Sequence, residues 1–110
     1  MAVLTKQQIS ITGVTPSFTA AAGGGDSFPN DGARTFFVVK NGDASPMTVT
    51  IDDTGSVEPS GSTTFDPDVE VTVGATDEEW IGPFPKNRFG ASVAVTYSAV
   101  TSLTVAAIAI

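Results

Sequence analysis

Along most of this chain hydrophobic and polar side chains alternate one by one, the period of a β-strand with one covered face and one wetter face. The pattern is clearest in residues 91–99, where Val93, Val95, Tyr97 and Ala99 fall on one side and Ser92, Ala94, Thr96 and Ser98 on the other. A short link at 100–102 leads into 103–110, where Thr104 alone is polar. A strand without a polar face has to be covered on both sides, by its own domain or by another subunit. The two runs are expected to form a final hairpin. Within it, 103–107 should be buried inside the domain, and Ile108 and Ile110 should meet another subunit.

The same reading divides the rest of the chain. Residues 8–14 alternate Ile9 and Ile11 against Ser10 and Thr12 and predict a first strand, interrupted by Pro16 and followed by a short strand at 17–20. Residues 20–33 hold a Gly-rich run and a Pro-Asn-Asp-Gly turn signal, which predict a flexible loop. Residues 34–40 are apolar in the middle and charged at both ends, as in a central strand. Residues 47–52 alternate cleanly, with Met47, Val49 and Ile51 inward. Asn-Gly lies between these two runs and predicts a hairpin-like pairing. Residues 53–68 read as a long acidic loop anchored by Phe65, 69–73 and 78–84 as two more strands, and 85–90 as a connection. The expectation is an all-β chain, a single-domain antiparallel β-sandwich over 1–110 with seven to eight strands. Jelly-roll and immunoglobulin-like topologies both fit.

Composition agrees with this fold. Thr and Val, which suit a pleated surface, supply about a quarter of the 110 residues. Charge adds something the pattern does not. The net value is −7, and every charged residue between positions 41 and 85 is acidic, whereas the first forty and the last twenty-five residues are weakly positive. This balance works against nucleic acid or an anionic membrane as a partner and assigns binding to the less acidic ends. The start of the chain lacks the apolar run of a secretory signal, and 103–110 is too short to cross a bilayer, so synthesis in a cytoplasm is expected.

The chain has no His and no Cys, which removes the commonest general base, the commonest metal ligand and the usual activated nucleophiles. The acids around Asp52, Asp53, Asp66, Asp68 and Glu70 are oxygen-rich, as calcium sites are, but complete no DxDxDG loop and read as solvated surface. The triple glycine at 23–25 lacks the spacing of a phosphate cradle. No catalytic, cofactor or metal site is expected. The candidate residues are instead ones that meet a partner: Trp80 as an anchor, Phe84 and Phe89 at the end of the sandwich, Lys86 and Arg88 facing an acidic partner, and Ile108 with Ile110.

Several stretches carry a resemblance. Phe28-Pro-Asn-Asp-Gly32, Thr35-Phe, Val39-Lys-Asn-Gly42, Ser45-Pro46, Thr48-Val-Thr-Ile51, Ile81-Gly-Pro-Phe84, Val95-Thr-Tyr-Ser98 and Val105-Ala-Ala107 resemble the small capsid decoration, or cement, proteins of tailed bacteriophages. The resemblance spans most of the chain. It implies a β-sandwich made in the host bacterial cytoplasm that binds major capsid protein on the outside of an assembled head. A homo-oligomer, a trimer above all, is the form it implies. The competing expectation is a carbohydrate- or receptor-binding module that uses Trp80, Tyr97 or the acidic loop.

Overall fold

The computed structural model describes residues 2–32, 34–52 and 68–110, without the side chains of Ala2, Asn87 and Arg88. Among these residues there are ten strands: β1 (Ala2–Val3), β2 (Lys6–Gln8), β3 (Thr19–Ala20), β4 (Asp26–Pro29), β5 (Thr35–Asn41), β6 (Met47–Ile51), β7 (Val69–Val73), β8 (Glu78–Ile81), β9 (Ser92–Tyr97) and β10 (Leu103–Ala109). One helical turn, α1 (Lys86–Phe89), precedes β9. The first sheet has the order β1-β4-β9-β6-β7 and the second β2-β10-β5-β8, with β3 also on β10. The short edge strands β1 and β2 run parallel to β4 and β10, and the other pairings are antiparallel. The chain is therefore all-β, with two mostly antiparallel sheets packed together, an arrangement compatible with a β-sandwich.

Alternation sets which side chains enter the space between the sheets. Met47, Val49 and Ile51 of β6 and Val93 and Val95 of β9 are buried, while Thr48, Thr50, Ser92 and Thr96 turn outward. The second sheet contributes Phe37, Val39, Leu103, Val105 and Ala107 to the same core. At one end an aromatic group closes it. Phe28 stacks on Phe37 with centroids 5.1 Å apart and meets Phe84, which in turn packs edge-on against Phe89.

Strand β10 is covered on both faces, as its lack of polar residues requires. The cover is this chain itself: Ala106 and Ile108 lie on the outer face of the second sheet, in a cluster with Val38 and Phe18. β10 and β9 do not form a hairpin, however. They belong to different sheets, β9 between β4 and β6, and β10 between β5 and the β2/β3 edge. A strand apolar on both sides needs a central place under a cover, whereas β9 has a polar face that can meet water.

Three further expectations are corrected. β5 and β6 are not a hairpin, because Asn41 is no surface turn residue. It is buried, and its amide donates to the carbonyls of Ser45, Val73 and Gly74, tying down a crossing from one sheet to the other. The supposed flexible loop at 20–33 contains β4, with Phe28 fully buried. The glycine run ends in a fixed place: Gly25 has φ +97°, and a Cβ there would lie 2.6 Å from the Val95 carbonyl oxygen. The strand expected over 8–14 also differs. The pairing there is β2, Lys6–Gln8, against Ala107, Ile108 and Ala109, preceded by β1 at Ala2–Val3, and Ile9 and Ile11 are left exposed. Of the acidic loop expected at 53–68, residues 53–67 lie outside the described residues.

Candidate functional site

The residues expected at a partner interface separate into two groups. Phe84, Phe89 and Ile108 are buried within the chain, the first two in the aromatic group and Ile108 beneath Phe18. Their large apolar side chains were already needed to close an end and a face of the fold, so none is presented to a partner. Trp80, Lys86 and Ile110 remain at the surface. The Arg88 backbone lies in α1, and its side chain lies outside the described residues.

Trp80 sits on β8, the edge strand of the second sheet, and keeps 52% of its surface exposed. Register places it opposite Val38 on β5, which is opposite Ala106 on β10. The next row of the same outer face is Glu78, Lys40 and Thr104. The indole Nε1–H donates to Glu78 Oε2 at 2.7 Å. The Lys40 ammonium lies 3.9 Å from Glu78 Oε1 and 4.1 Å from the centroid of the Phe18 ring. An exposed ion pair of this kind contributes little to stability. Its effect is orientation: Glu78, beside Lys40, also accepts the indole N–H, and this bond restricts the rotamers of the Trp80 ring. The outer face thus carries the exposed Trp80 ring, an ammonium and a carboxylate beside the buried Val38, Ala106 and Ile108 cluster under Phe18.

Sequence reasoning singled out Trp80 but missed Lys40, Glu78 and Phe18. No local signal links them, because residues 18, 40 and 78–80 converge only through the β3–β10–β5–β8 pairing.

Tyr97, expected at a sugar site in the competing reading, faces inward instead. Its hydroxyl donates to Asp26 Oδ2 at 2.7 Å, and burial, followed by the hydrogen bond and charge of Asp26, raises its pKa far above the ordinary 10.0. Asp26 is fully buried. Its Oδ2 also accepts the Ala22 N–H, and its Oδ1 has no hydrogen-bond partner. Near the other edge, Lys6 and Thr35 both bond Asp31, and these bonds hold the Asp31 pKa below its usual value. Among the described residues no three His, Cys, Asp or Glu side chains stand close enough to hold a metal ion, and no helix is long and apolar enough to cross a membrane.

In comparisons with known proteins, the chain matches no family model, and no curated protein or solved structure is similar to it.

Proposed function

We propose that this chain is a non-enzymatic structural protein of a bacteriophage virion, binding major capsid protein on the outside of an assembled head through the outer face of its second sheet. It acts as a homo-oligomer, with the trimer favoured because a decoration protein seated on a three-fold axis presents three copies of one weak contact. The observation that carries the reading is Trp80, half exposed on the outer sheet face and tethered to Glu78. Buried aromatic anchors dominate interface energetics, and a large ring left in water on an ordered face is suited to become one. Lys40, in the neighbouring row and paired with Glu78, places a cation on this face of a chain that is otherwise strongly negative.

The topology within this proposal is a jelly roll. What supports it is nesting: β6 pairs with β7, β5 with β8, β4 with β9 and β3 with β10, all antiparallel. Rolling one such ribbon gives the two sheet orders β3-β10-β5-β8 and β4-β9-β6-β7. The immunoglobulin-like alternative does not generate these nested pairs.

Purified protein mixed with undecorated heads should co-sediment with them and raise their melting temperature, since it engages the assembled lattice. Protein that stays in the supernatant at micromolar concentration overturns the reading. A second reading is favoured by the same ring. The Trp80 N–H is already bonded, so the ring offers its apolar face, as a saccharide platform would; retention on a glycan array that Trp80→Ala abolishes would support that reading instead.

A further inference from the structure

Two turns of this chain hold another residue where glycine is expected. Thr76 has φ +61° and Ser102 φ +54°, the only non-glycine residues at positive φ among those described. Each is the third residue of a β-turn closed by a hydrogen bond. Asp77 N–H donates to the Gly74 carbonyl in one turn, and Leu103 N–H to the Val100 carbonyl in the other. Glycine adopts this left-handed conformation without strain, and a β-branched threonine fits it worst. Elsewhere the chain does place glycine at positive φ, at Gly13, Gly25, Gly32, Gly82 and Gly90. Thr76 and Ser102 belong to separate turns, yet they line the same groove. Turn chemistry explains neither the choice of residue nor the convergence.

The groove has a volume of about 340 Å³, in the lower part of the range for small-molecule sites, about 300–1,000 Å³. It lies at the end of the sheets where Met47 pairs with Val73, opposite the end that carries Ile51 and Val69. Lys40, Asp77, Glu78, Ser102 and Thr104 line it beside Thr76, with no aliphatic or aromatic residue among its lining. The side chains of Asp77, Ser102 and Thr104 have no hydrogen-bond partner among the described residues. Lys40 and Glu78 face each other at 3.9 Å, so Asp77 leaves the lining net negative, which opposes an anion. A cationic ligand is opposed by the Lys40 ammonium, and a hydrocarbon finds no apolar wall. Among the described residues no three acidic groups are placed to hold a metal ion. What matches ammonium, carboxylates and hydroxyls together is an uncharged ligand whose groups both donate and accept, as hydroxyls do. We propose that this groove binds a neutral saccharide, with Asp77, Ser102 and Thr104 bonding its hydroxyls and the two strained turns forming its walls.

This goes beyond capsid binding and is tested on free protein without heads, so the two can fail separately. Trp80 reports on the groove, because it is the single tryptophan and its indole N–H bonds Glu78 in the groove wall. On an array of neutral and sialylated oligosaccharides, the protein should be retained by neutral glycans. Titrating such a glycan in solution should change the Trp80 fluorescence saturably. Asp77→Ala should weaken that binding about tenfold or more, the loss expected when a hydrogen bond to a charged group is removed. Thr76→Gly and Ser102→Gly should also weaken it, with a melting temperature unchanged or higher, since glycine relaxes the positive φ. A merely structural turn would not set stability against binding in this way. No retention on neutral glycans overturns the proposal, as does retention on sialylated ones alone. It is also overturned if the three variants bind like wild type, or if Thr76→Gly and Ser102→Gly lower the melting temperature.

Discussion

At the scale of single residues, Tyr97 offers the cleanest observable, because it is the one tyrosine in the chain. Its pKa is raised in the folded state by burial and by Asp26. A raised pKa means the folded state holds the proton more tightly than the unfolded one, so the stabilisation is complete below pH 10 and declines as pH rises above it. Phenolate absorbance should therefore stay absent above pH 10 until the protein unfolds, and Tyr97→Phe should remove that alkaline slope. A titration of Tyr97 near its ordinary value in folded protein would contradict the buried pair. The glycine run makes a second residue-scale case. Gly25→Ala meets both a positive φ and the Val95 carbonyl, so it should cost more than about 1 kcal/mol in denaturant unfolding. Gly23→Ala has nothing within 4 Å and should be within about 0.5 kcal/mol of wild type. The sequence marks 23–25 as glycine-rich, but only the close approach of β9 tells one of these positions from the other.

At the scale of elements, strands were legible and their partners were not. Alternation in Met47–Ile51, Val69–Val73 and Ser92–Tyr97 predicts both strand and inward face, and the structure has them. Pairing escaped the pattern because it is decided by long-range demand. Turn signals at Asn41-Gly42 and at 100–102 suggested hairpins, yet β10 needs a central position with both faces covered, and Asn41 is consumed inside the fold. The segment at 9–16 shows the opposite failure. Its period of two looks like a strand, but among the described residues it pairs only as far as Ile9 and leaves its isoleucines exposed. A paired substitution separates the roles assigned to the end of β10. Ile108→Ala empties a packed site beneath Phe18 and should destabilise by about 2–5 kcal/mol. Ile110→Ala, at a half-exposed position, should change stability by no more than about 0.5 kcal/mol. Equal losses at the two positions would contradict the cover by Phe18.

At the scale of the whole molecule, the N-terminal strap joins the two sheets. β1 continues the first sheet beside β4, and β2 continues the second beside β10, so one edge of the pair is closed by consecutive residues. The opposite edge, β7 and β8, carries Glu70, Glu78 and Glu79, charges that discourage edge-to-edge strand pairing with another molecule. The outer face of the second sheet is thereby left as a defined surface, with Trp80 as its exposed ring. Of this candidate site, the tryptophan alone could be read from the sequence. Its tether to Glu78 and the Lys40–Phe18 contact exist only because β3, β10, β5 and β8 are neighbours. The central claim is that this surface grips an assembled capsid, and the most direct test is a sedimentation binding isotherm on undecorated heads for wild type and Trp80→Ala. Saturable wild-type binding is expected, weakened by about thirty-fold or more in the variant, which corresponds to the loss of about 2 kcal/mol when an interface anchor is truncated. Isotherms that coincide for the two proteins, or no wild-type binding at all, would contradict it.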